Sequence, residues 1–192
     1  MKRFLFFMAL LCIWCISFNS VKAVSNAELQ DTSRFEHIVS KGDTGGGDDK
    51  YIELSTLRDI STDARTKSIE TKIYVVLPSS DLIREYTIRY DYNLNYSFAN
   101  LVAKMPEFKQ RFPDFSLNDI WNLKMDESGI VGTVKAQQDY TLNGESKTTQ
   151  PGYKGYEYVT FLTPTDFDFE SYHVANRVFK KVFGIFYDDV IR

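Results

Sequence analysis

The side chains best suited to chemistry gather near the C-terminus: Asp166, Asp168, Glu170 and His173. Carboxylates held close together can share a proton, work as a general acid–base pair or hold a cation, and a histidine beside them adds a base near neutral pH. The same residues also have a plainer reading. Phe167 and Phe169 alternate with them and would anchor the chain, while acidic groups just ahead of a helix favour the positive end of its dipole. The one other histidine is His37, and two histidines do not make a histidine-rich zinc site.

Two further strings look like motifs and lose that meaning in context. Asp43-Thr44-Gly45 matches the aspartic-protease triplet, whose chemistry needs two aspartates sharing a proton on a rigid turn. Here it runs into Gly46-Gly47-Asp48-Asp49, a polar glycine-rich stretch without the spaced oxygen ligands of a calcium loop. Cys12-Ile13-Trp14-Cys15 has the redox or metal spacing, but it sits inside the apolar run Phe4–Phe18, behind Lys2 and Arg3. A basic start, an apolar stretch and small residues at Val21 and Ala23 predict a secretory signal peptide over residues 1–23, with Val24 opening the mature chain. Neither cysteine follows a small residue, so a lipid-anchoring signal is not expected. The mature chain is then free of thiols, disulfides and cysteine-held metals, and no cofactor is expected.

The leader takes Lys2, Arg3 and Lys22 from 23 basic residues set against 26 acidic ones, moving the net charge from −3 to −6. An acidic balance disfavours nucleic acid and anionic lipid as partners. No later segment is apolar enough over about 20 residues to span a membrane.

Tyrosine is the most suggestive feature of the mature chain. Tyr86, Ile88, Tyr90, Tyr92, Leu94, Tyr96 and Phe98 alternate with polar residues, which predicts one long strand with a dry face and a wet face. Such a face is either core or an aromatic binding surface, since tyrosine joins a large contact area to a polar tip. Tyr86, Tyr90, Tyr92 and Tyr96 are therefore the candidate ligand- or partner-binding residues.

The elements that must position them read as follows. Residues 24–50 are expected to be a flexible polar linker, and residues 51–192 a single domain. Ile69–Leu77 forms a strand that Pro78-Ser79-Ser80-Asp81 turns back into the tyrosine strand as an antiparallel hairpin. A helical stretch from Ala99 to Phe112 breaks at Pro106, and a second short helix starts at Ser116 with Leu117, Ile120, Trp121 and Leu123 on its apolar side. Strands resume at Ile130–Leu142, turn at Asn143-Gly144 and return as far as Tyr156–Leu162. A last amphipathic helix from Glu170 to Ile191 carries Val174, Val178, Val182 and Phe186 in one row. The predicted class is α+β: a curved antiparallel sheet of about 4–6 strands, a C-terminal amphipathic helix packed on it, and short helices in the middle.

Two stretches, covering about a third of the chain, resemble small exported bacterial envelope proteins of the surface-adhesin protein E type. One holds Tyr51-Ile52-Glu53, the Ile73–Val76 strand and the Arg84–Leu94 strand; the other holds Ala175, Val178, Phe183-Gly184 and Phe186. The resemblance implies a non-enzymatic antiparallel-sheet domain at the cell envelope that attaches to proteins. The leading expectation is accordingly an exported, periplasmic or surface-facing binding module whose partner is a protein or an envelope component. Two rivals stand beside it. A small carrier would hold an apolar ligand in an aromatic-lined pocket, and a hydrolase would use Asp166, Asp168, Glu170 and His173.

Overall fold

The alternation seen before and after Tyr86 builds the centre of a sheet. In the computed structural model, which describes residues 24–38, 48–147, 158–164 and 169–191, β4 (Thr66–Leu77) and β5 (Leu82–Asn93) pair along their whole length. Pro78–Ser80 forms a single 3₁₀ turn between them, and Asp81 closes it in the left-handed region at φ 47°. The tyrosine strand ends at Asn93, earlier than its alternation suggests. The Asn93 side chain accepts from the Asn95 backbone N at 3.2 Å, and the Ser97 hydroxyl accepts from Asn100 N at 3.3 Å. These two local bonds offer the backbone a turn and a helix cap in place of more ladder, so Leu94–Tyr96 is a 3₁₀ turn.

Around this hairpin the other strands add antiparallel neighbours. They are β1 (Phe35–Ile38), β2 (Asp49–Glu53), β3 (Arg58–Asp59), β6 (Ile130–Tyr140), β7 (Ser146–Lys147) and β8 (Tyr158–Leu162). The continuous path is β1-β2-β4-β5-β6-β7, with β3 on β4 and β8 on β6. The sheet curls strongly into a half-barrel, so the expected α+β class with a curved antiparallel sheet holds. A register shift between Thr87 and Ile88 leaves Lys135 of β6 unopposed. Such a bulge bends a sheet and changes which face the later residues point to.

Residues 24–38 correct the expectation of a linker over 24–50. A capping box, with Ser25 N donating to Glu28 Oε2 at 3.0 Å and Glu28 N donating to Ser25 Oγ at 3.3 Å, starts the short helix α1 (Asn26–Leu29). Val24, Leu29 and Phe35 are buried with Tyr51, Tyr74, Val76, Ile83 and Tyr140 on the convex face of the sheet. The stretch is polar on average, yet Val24, Leu29 and Phe35 all fall on one side, while Ile38 at the end of β1 joins the core on the other. Asp49 and Lys50 likewise lie in β2, and residues 39–47, with the Asp-Thr-Gly triplet, lie outside the described residues.

The concave face holds the larger core. Helix α5 (Phe169–Phe183) lays Val174, Ala175, Val178 and Phe179 against Ile69, Ile73, Tyr90, Tyr92 and Ile130. It is shorter than expected: Gly184, at φ 78°, ends it with the left-handed residue that commonly stops helices. Phe186 therefore leaves the predicted row, and Asp188 and Asp189 sit in a separate turn, Tyr187–Asp189. Between β5 and β6 the helices α2 (Phe98–Ala103), α3 (Met105–Arg111) and α4 (Leu117–Asp126) form an arm, with Pro106 in the first turn of α3. The apolar side expected for α4 does not bury. Ile120 is inside, whereas Leu117, Trp121 and Leu123 are exposed. No helix among the described residues is long and apolar enough to cross a membrane.

Candidate functional site

The even-numbered side chains of β5 all face the concave side, and they meet different surroundings along the strand. At one end, α5 covers Tyr92 completely. The Tyr92 hydroxyl donates to the Ala175 carbonyl at 2.8 Å, and its ring meets Phe179 edge-on at 4.9 Å. At the other end a cavity of about 360 Å³ opens, walled by Val75, Tyr86, Ile88, Tyr90, Val134 and Leu162. That volume lies within the range of small-molecule sites.

Register explains the cavity. Pairing sets Ile88 beside Val134 and Tyr90 beside Gly132, which in turn lies beside Thr160 of β8. Gly132 contributes no side chain to a face where Tyr90 and Leu162 stand nearest to it. A Cβ there would stand 3.5 Å from Leu162 Cδ1 and 3.6 Å from Tyr90 Cε1, ordinary contact distances. The missing side chain is thus empty space in the wall rather than a requirement of the backbone.

A few polar groups interrupt the apolar lining: Asp48, Lys50, Thr160 and Ser171. Lys50 pairs with Glu170 in the first turn of α5, joining the start of the helix to β2. Beyond Tyr86 the concave face ends in an ion pair between neighbouring strands, Arg84 Nε to Asp139 Oδ1 at 2.9 Å with a second bond from Nη2 to Oδ2 at 3.2 Å. Burial alone raises the Tyr90 phenol well above its ordinary value. Tyr90 therefore presents a neutral hydroxyl, a donor and acceptor without charge. Such a lining suits matter of largely apolar character with one or two hydrogen-bonding groups.

The structure divides the four candidate tyrosines. Tyr86 and Tyr90 line the cavity, Tyr92 belongs to the core, and Tyr96 has left the sheet for the turn after β5, where Glu127 raises its phenol. Of the acidic cluster, Glu170 is engaged by Lys50. His173 is half-buried, and its imidazole is held towards the neutral form by burial first and then by Arg177, against the pull of Glu36. Asp166 and Asp168 lie outside the described residues. His37 is on the convex face, stacked on Tyr51 at 4.6 Å and bonded to Asp49 at 2.9 Å. Among the described residues no group of three potential ligands is placed to hold a metal.

Sequence reasoning missed Lys50, Gly132, Val134 and Ser171. One signal was available, because a glycine inside an alternating strand marks a close approach or a gap. The other three join the site through pairings between distant elements. No family model, curated protein or solved structure matches this chain.

Proposed function

We propose that this chain is an exported, non-enzymatic binding domain whose ligand is a small, mainly apolar molecule held in the concave cavity between β5, β6 and the start of α5. The observation that supports this most directly is the gap at Gly132 beside Tyr90, Ile88 and Val134: an apolar wall with volume left open. Filling that volume removes apolar surface from water, worth about 25 cal/mol for each Å² buried. The protein-partner reading rests on a different surface. Phe112, Leu117, Trp121 and Met125 stand exposed on the helical arm, and the resemblance to surface-adhesin protein E supports that use.

One titration separates the two. An apolar fluorescent probe is expected to gain emission on binding the chain that begins at Val24. Gly132→Leu, which occupies the cavity, should weaken probe binding at least about tenfold, the scale of one lost apolar contact region. Trp121→Ser should leave it unchanged. Equal binding by the Gly132→Leu protein, with its fold intact by circular dichroism, overturns the cavity as the site. Loss on Trp121→Ser alone points to the arm.

A further inference from the structure

β8 pairs with β6 on one side, and no described residue pairs with its other side. An open strand edge presents unpaired backbone donors and acceptors, and proteins guard such edges with charge, proline, bulges or extreme shortness. β8 has none of these guards. Tyr158-Val159-Thr160-Phe161-Leu162 carries no charge and no proline, and all five residues pair with β6 in unbroken register. The opposite edge, β1, by contrast carries Glu36 and His37. On the convex face β8 also leaves Val159 51% and Phe161 70% exposed, two large apolar side chains side by side.

We propose that this edge is a homodimer interface: β8 of one copy pairs antiparallel with β8 of a second copy about a two-fold axis at Thr160. Two features single out a second copy as the occupant. About that axis Phe161 stands opposite Val159 of the other copy, twice over, so four exposed apolar side chains close into one cluster. The five paired residues of the strand are neutral, so self-pairing brings no like charges together along it. An unrelated extended peptide would satisfy the backbone but does not supply the apolar match.

Sedimentation equilibrium of the chain from Val24 onward tests this, and the expected species is a dimer. Phe161→Lys changes an exposed side chain and should weaken association about a hundredfold or more, through two lost apolar contacts and two added like charges. Its circular dichroism should match the parent. A second measurement uses cysteine. The parent has cysteines only at 12 and 15, so a mixture of Val159→Cys and Phe161→Cys proteins should form a disulfide between unlike copies in preference to like ones, because directly opposed residues fall within bonding distance. A single-chain mass at every concentration overturns the proposal. So does a dimer that survives Phe161→Lys unweakened, or cysteine cross-linking with no preference for the unlike pair. Should Phe161→Lys fail to fold, the cysteine mixture decides alone.

Discussion

At the residue scale the most consequential side chain after the cavity tyrosines is Lys124, whose side chain is 1% exposed. Its ammonium donates to the Tyr96 carbonyl at 2.9 Å and the Ser128 carbonyl at 2.8 Å, pairs with Asp188 at 2.8 Å, and lies 4.8 Å from the Tyr187 ring. Burial lowers its affinity for a proton, and Asp188 offsets part of that cost. Asp188 in turn accepts from Phe98 N at 3.2 Å and from the Tyr172 hydroxyl. One charge pair thus joins the helical arm, the strand end and the C-terminal turn. Removing a partner from such a buried group leaves the others unsatisfied, which is costlier than the pair is stabilising. Lys124→Met is expected to lower stability by about 2–4 kcal/mol in urea unfolding. Lys124→Met with Asp188→Asn should recover part of the loss, because the isolated carboxylate is gone.

At the element scale the N-terminal segment is what the sequence concealed best. Val24, Leu29 and Phe35 make a lid on the convex face, and Phe35 meets Tyr74 edge-on at 5.6 Å. Phe35→Ala should therefore cost about 3–5 kcal/mol, as for other buried phenylalanines. A true linker would lose almost nothing, so a chemical denaturation curve separates the two. The helical arm is the contrasting element. It keeps Leu101, Ile120 and Lys124 inside and leaves most of its length in water. Few buried contacts give an element low local stability, and the expected outcome is faster amide exchange in α3 and α4 than in β4 and β5.

For the whole molecule, the tyrosines that fill both faces of the sheet set its response to alkali. Burial raises the phenols of Tyr74, Tyr90, Tyr92, Tyr172 and Tyr187, and pushes Tyr140 up to about 12. In the unfolded chain these groups ionise near pH 10. Above that value the unfolded state has released protons that the native state still holds, so stability falls as pH rises. The contribution is fully present below about pH 10 and shrinks above it. An ultraviolet phenolate titration should show these six ionising together with unfolding, ahead of their native values. Separate, non-cooperative ionisation near pH 10 with the fold intact would contradict the burial described here.

Local rules made much of this protein legible from its residues. The β4–β5 hairpin, the capping box at Ser116 and the apolar row of α5 each depend on spacings within a dozen residues, and the chain carries those spacings openly. The turn expected at Asn143-Gly144 lies one residue earlier, centred on Leu142-Asn143, with Gly144 following at φ 86°. Tertiary structure alone decided where each face went. The alternation from Tyr86 to Tyr92 shows that one side of β5 is dry. It does not show that α5 leaves Tyr86 uncovered, because that depends on where the helix starts, and its first turn is tied to β2 by the Lys50–Glu170 pair. Opening a cavity beside Gly132 takes the registers of β5, β6 and β8 together, set by a bulge that no local pattern announces. The linker reading failed for the same reason: average polarity cannot reveal that four apolar residues, Val24, Leu29, Phe35 and Ile38, all find neighbours in a sheet built from residues far along the chain.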